Sequence, residues 1–205
     1  MTAEQQIVDF WFDPSCPYTW ITSRWLLEVS ELRAIAIRWR VMSLSVLNEG
    51  RDDDPEGDPE GYLWVPVRIC AAVQHEYGHA ALGRLYTAMW SRAHGAEGWL
   101  GDLHSALDGA GLPRQLADVG ASSDYDAVVR ASHAEGIELV GSHVGSPIVA
   151  TTGEQGERIA FFGPVLSRIP TGEQAAALWD GTVLVAGTPA FHELKGTPHQ
   201  EPKLD

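Results

Sequence analysis

The sequence predicts an α/β fold carrying an all-helical insertion. Three observations carry this: a strand–helix–strand start, a long helical stretch behind an acidic loop, and a return to short strands closed by a last helix. The chain has 205 residues, 44% of them apolar, enough to bury a sizeable core.

"QIVDFWF", residues 6–12, is β-branched and aromatic with no breaker and reads as a buried strand, which "DPS" ends. From Pro17 to Leu32, apolar residues recur at helical spacing, and Pro17 suits a first-turn position where its missing N–H costs nothing. "AIAIRWRVMSL" from Ala34 alternates and reads as the second strand. The stretch "EGRDDDPEGDPEG" after Asn48 cannot bury a core and reads as a loop or boundary. Beyond it, "AALGRLYTAMWSRAH", "WLGDLHSALDGAG" and "DYDAVVRASHAEG" read as helices, each ended by glycine. "SPIVATT" and "ERIAFFG" then suggest a hairpin, and "TGEQAAALWDGTVLVAG" a closing helix opened by Thr171. The tail "KGTPHQEPKLD" reads as frayed. The expected division is a core domain of residues 1–48 and 141–205 around a helical insertion of residues 49–140.

A formal charge of −14 argues against nucleic acid or anionic membrane as a partner, because too little basic charge is present to displace counterions from phosphates. The start "MTAEQQIVDFWF" lacks the basic residues and long apolar run of a signal peptide, so the expected compartment is the cytoplasm. In a reducing compartment the two cysteines, Cys16 and Cys70, are not expected to form a structural disulfide. Cys70 lies in a helical stretch and reads as a buried thiol.

Cys16 stands differently, at the start of the first helix. Unpaired backbone N–H groups and the positive end of the helix dipole favour thiolate there, and thiolate is the nucleophile. Thioredoxin-type redox proteins place their attacking cysteine after the first strand in this way, with a resolving cysteine three residues on. Here the motif is Cys16-Pro17-Tyr18-Thr19, so no disulfide can close within it. A lone thiolate still attacks disulfides or electrophiles, and its release then needs an outside thiol or Cys70 brought near. Thr19 offers a hydroxyl one turn along that can hydrogen-bond the thiolate. The competing reading is a small buried hydrophobe with Thr19 as packing. Pro147, after the helical stretch and before the hairpin, occupies the point where thioredoxin-like folds carry a cis-proline facing the nucleophile. Ser146 before it would offer its backbone to substrate.

"VDFWFDPSCPYTWITSRWL", the inserted helices, "VGSPIV" and "LWDGTVLVAGTPAFHELK" together resemble the actinobacterial mycothiol-dependent reductases, DsbA-like relatives whose best studied members reduce nitroaromatic compounds. The resemblance implies a thioredoxin-like fold with an inserted α-helical domain, commonly a homodimer, with mycothiol as reducing cosubstrate and no tightly bound cofactor. It carries Cys16 over as nucleophile, Pro17 as the helix-start proline and Pro147 as the cis-proline. Family members usually have Cys-Pro-Trp-Cys, from which this chain departs at Tyr18 and Thr19. That departure directs the expectation to a monothiol reaction, reduction of a mixed disulfide by a low-molecular-weight thiol or conjugation of that thiol. Similar folds of the kappa-class glutathione transferase type bind a thiol ligand without redox turnover, and form the alternative.

Substrate contacts are expected from Pro17, Tyr18, Trp20 and Ser146 around the motif, and from Asn48 and Tyr62 at the ends of the acidic loop. "HEYGH", residues 75–79, matches the zinc-hydrolase pattern His-Glu-x-x-His. Leu82 and Leu85 stand where the extended form needs glycine and histidine, Glu97 lies in a glycine-broken stretch, and Gly78 weakens the helix. The favoured reading is therefore the polar face of an insertion helix, with no metal.

Overall fold

The structure is a computed structural model that describes residues 5–53, 55–93, 102–153 and 155–204, without the side chains of 91–93. Four strands, β1 (Gln6–Phe12), β2 (Ile35–Val41), β3 (Ile148–Thr152) and β4 (Arg158–Phe162), form one sheet in the order β2-β1-β3-β4. β3 and β4 pair antiparallel, with Ala150 opposite Ala160. The helices are α1 (Pro17–Leu32), α2 (Leu44–Leu47), α3 (Trp64–Ala93), α4 (Leu103–Gly109), α5 (Asp126–Val140) and α6 (Gly172–Ala186), with a 3-10 helix over Arg114–Ala121. This is a DsbA-like thioredoxin fold in which the helical region α3 to α5 is inserted between strands of the sheet.

The chain divides into two compact units. The first comprises Met1–Phe10, Cys16–Arg38 and Leu139–Asp205; the second comprises Trp11–Ser15 and Trp39–Glu138. In the first unit α1 and α6 pack on each other through tryptophans. Trp25 is wholly buried, its indole N–H donates to the Ala175 carbonyl at 3.0 Å, and its ring centroid lies 6.1 Å from that of Trp179. Burying so much aromatic surface is the main apolar contribution that a helix pair of this kind makes. Thr171 stands at the N-cap of α6 but its side chain makes no cap bond; instead the Gly172 N–H donates to Glu28 of α1 at 2.9 Å. An orphan helix donor is thus satisfied from the neighbouring helix.

Asp9, on β1, is fully buried and bonded by two arginines. Arg38 of β2 engages both carboxylate oxygens, and Arg158 of β4 reaches Oδ2 at 2.6 Å. A carboxylate inside the fold requires such pairing.

In the second unit, Phe12, Trp39 and Tyr86 form an aromatic cluster, with the Phe12 and Tyr86 rings stacked at 4.0 Å. Gly83 lies against the Trp39 indole, where any Cβ would collide. α5 runs past Gly136, the glycine at which the sequence predicts its end. A Cβ there would stand 3.0 Å from the Trp11 ring, so the glycine admits an indole rather than ending the helix. Gly78 interrupts α3 with φ 81 and ψ 176, a conformation open to glycine alone.

Candidate functional site

Cys16 is the N-cap of α1. Its backbone is extended, Pro17 follows inside the first turn, and the Trp20 N–H donates to the Cys16 carbonyl at 3.2 Å, closing that turn. Cys16 is half-buried, and its sulfur lies 3.9 Å from the Ser146 carbonyl oxygen, at the outer range for a thiol donor. The Ser146–Pro147 peptide bond is cis. Pro147 is buried, and its carbonyl accepts the Gly163 N–H at 2.8 Å, so this loop is tied to the far end of the hairpin.

The hydroxyl of Thr19 is 2.7 Å from that of Ser146, and both residues are buried. The Thr19 hydroxyl, expected to act on the sulfur, is bonded to the residue whose carbonyl faces the sulfur. One turn further along α1, Thr22 donates to the Pro164 carbonyl at 2.7 Å, beside a second cis bond at Gly163–Pro164. Residues three apart share a helix face, so two threonines fasten α1 to both proline loops. Sequence reasoning passed over Thr22; the signal available was a hydroxyl at that spacing from Thr19.

The remaining expected residues divide. Tyr18 turns its hydroxyl to the Gln200 carbonyl, at 3.1 Å. Trp20 is buried with the Arg24 guanidinium 3.9 Å over its ring. Asn48 and Tyr62 belong to the second unit. There Asn48 donates to Glu56 at 2.9 Å and lines a cavity of about 300 Å³ with Ser45, Arg51, Asp58 and Trp64. Tyr62 is 68% exposed and donates its hydroxyl to Glu60 at 2.8 Å.

Within the second unit the Asp13 carboxylate accepts the backbone N–H groups of Ser15, at 2.7 Å, and Leu44, at 2.7 Å. Burial outweighs these two bonds and pushes its carboxyl up to about 6. Cys70 has no exposed surface, and burial, aided by the Asp13 charge, holds its thiol far above the ordinary range. Such a thiol is a poor nucleophile. His133 is driven the other way, burial and then Arg130 keeping it neutral, and its Nδ1 accepts the Ser43 N–H at 3.5 Å.

"HEYGH" does not form one helical face. Gly78 breaks the helix between the two histidines, His79 Nδ1 lies 2.7 Å from the Trp39 carbonyl, and Glu76 is engaged by the Tyr125 hydroxyl. Glu97 and His94 lie outside the described residues. Among the described residues no group of three or more His, Cys, Asp or Glu is placed to hold a metal, and no helix is long and apolar enough to cross a membrane.

Comparison with known proteins gives these features a context. Residues 15–196 match the model of the family described as Rv2466c-like, mycothiol-dependent nitroreductase Rv2466c. The chain is 32% identical over 200 residues to the uncharacterized protein Rv2286c of Mycobacterium tuberculosis, covering 92% of this chain and 80% of that protein. In fold it is similar to the probable DsbA oxidoreductase SCO1869 from Streptomyces coelicolor, with a TM-score of 0.54 at 15% identity over 94% of this chain and 100% of that one. It is also similar to the cytosolic disulfide reductase DsbM from Pseudomonas aeruginosa, with a TM-score of 0.50 at 16% identity over 87% and 98% of the two chains. With a helix-capping Cys16 beside a cis Ser146–Pro147 bond, and a match running from that motif past the last helix, the chain belongs to the Rv2466c-like family, described as mycothiol-dependent nitroreductase.

Proposed function

We propose that the protein is a cytoplasmic monothiol oxidoreductase whose nucleophile is Cys16 and whose reducing cosubstrate is mycothiol or a similar small thiol. The observation that carries the reading is the half-buried Cys16 at the N-cap of α1, its sulfur 3.9 Å from the carbonyl of the residue before a cis proline. The Cys16 thiolate attacks one sulfur of a disulfide held along Ser146 and Pro147. A new Cys16 disulfide forms, and the other sulfur leaves as a thiolate that takes a proton from solvent. A small thiol, deprotonated, then attacks the mixed disulfide; Cys16 departs as thiolate, and the small thiol ends oxidised in the new disulfide. That new disulfide joins the small thiol to the substrate half that Cys16 had taken; a second small thiol, attacking the first one's sulfur in it, frees that half as well, so two small thiols together lose the two electrons that the substrate gains.

Thr19 at the fourth position supports an external resolver, and the burial of Cys70 supports it further. The family match supports mycothiol as that thiol, and DsbM has also been solved with GSH. Thr19 and Pro147 are read as parts of the catalytic motif, Pro17, Tyr18, Trp20 and Ser146 as contacts around it. Asn48 is read as a ligand contact on the strength of its cavity, and Tyr62 from its place in the sequence alone.

The test is intact mass after incubation with oxidised mycothiol. One adduct per chain, mapping to Cys16 and released by reduced mycothiol, is the expected result. No adduct, or one that survives in Cys16→Ser, would reject the nucleophile.

A further inference from the structure

The segment that follows α6 is fastened at its far end to the motif turn. The Gln200 carbonyl accepts two hydroxyls, that of Tyr18 at 3.1 Å and that of Ser167 at 3.0 Å, filling both of its lone pairs. The Lys203 N–H donates to the Ser167 carbonyl at 2.9 Å, and the His199 ring lies 5.5 Å from the Tyr18 ring at a tilt of 48°. Residues 199–203 therefore bridge the first turn of α1 and the loop between β4 and α6. This is the stretch that composition alone reads as frayed; hydroxyls 182 and 33 residues away in sequence hold it down.

We infer that residues 197–204 are a specificity strap, which admits small-molecule disulfides to Cys16 and keeps extended peptide disulfides out while Tyr18 and Ser167 hold it. Tyr18 is two residues from Cys16, so a chain crossing at its hydroxyl passes over the first turn of the helix whose N-cap is the nucleophile. A peptide substrate needs room on either side of its cysteine, as an extended strand lying along the backbone before a cis proline. A free thiol's disulfide brings no such flanking chain. With its hydroxyl and one ring face committed to the strap, Tyr18 meets a peptide only after both hydroxyl bonds to Gln200 are given up. The selectivity rests on the reading of Cys16 as the nucleophile; the closure of the strap does not.

The test compares the full chain with a chain ending at Gly196, using iodoacetamide and a short cysteine peptide activated as its thiopyridyl disulfide. Removing the strap is expected to speed the peptide reaction about tenfold, the population penalty that two hydroxyl bonds set on the open state, and to change the iodoacetamide rate less than about twofold. Tyr18→Phe, which keeps the ring and loses one bond, is expected to speed the peptide in the same direction by a smaller factor. Equal acceleration of both probes, or an unchanged peptide rate in both variants, overturns the selectivity. Hydrogen exchange at the Lys203 amide reads closure independently. Protection that falls in Tyr18→Phe supports the strap, and free-chain exchange in the unaltered protein overturns it. Failure of iodoacetamide at Cys16 with Lys203 still protected counts against the nucleophile and for the closure.

Discussion

At the scale of single residues, Thr19 puts a hydroxyl three residues after Cys16. It closes off an internal disulfide and gives Ser146 a buried partner at 2.7 Å. Thr19→Val removes that partner at nearly constant volume, and denaturant unfolding is expected to show a loss of about 1–2 kcal/mol, with Thr19→Ser recovering most of it. Asp13 sets a pH dependence. Its carboxyl titrates near 6 in the folded chain against 3.8 as the ordinary value, so between those values the folded protein holds a proton that the unfolded chain has released. Stability from this group therefore falls as pH rises from about 4 to 7, by roughly 3 kcal/mol. The stability of Asp13→Asn relative to the unaltered chain should rise over that window; a constant difference would show that Asp13 is ionised throughout. The place of Cys16 at the N-cap of α1 was legible from its neighbours, because strand, breaker, proline and helix are all local signals. The state of Asp13 was not, since its burial comes from residues distant in sequence.

At the scale of elements, the order of strands and helices was readable because periodicity is a local property. β1, α1, β2, the hairpin and α6 all stand where apolar spacing puts them. The misreadings share a physical origin in packing. Gly136 looked like a helix end and is a contact with Trp11; Thr171 does open α6, but Glu28 supplies the bond that its side chain does not; α2 and the 3-10 helix over Arg114–Ala121, at four and eight residues, are too short to have been read as separate helices. Gly83 in α3 presses on Trp39 in the same manner. Alanine normally favours a helix over glycine, yet Gly83→Ala is expected to destabilise by about 2 kcal/mol, because overpacking against an indole exceeds the propensity gain. A thermal unfolding scan checks the sign, and an increase in melting temperature would mean that the ring gives way freely.

At the scale of the whole molecule, resemblance to the family implies a homodimer, and light scattering of the purified chain is expected to give twice the mass of one chain; a monomer at all concentrations would refute it. Charge accounts for more of the interior than composition suggests. Asp9 has no exposed surface, while Arg38 and Arg158 approach it from β2 and β4 with β1 and β3 between them. Asp9→Leu is expected to cost about 2 kcal/mol in chemical unfolding, since it removes the charge-assisted hydrogen bonds that Arg38 and Arg158 make to the carboxylate. The same carboxylate acts as a lock on threading. A strand slipped by one residue turns every side chain to the opposite face, and a sheet built in another order parts the anion from its cations. An arrangement that kept Asp9 inside without its two arginines would bury an unpaired carboxylate, so this one residue favours the observed neighbours of β1 over others.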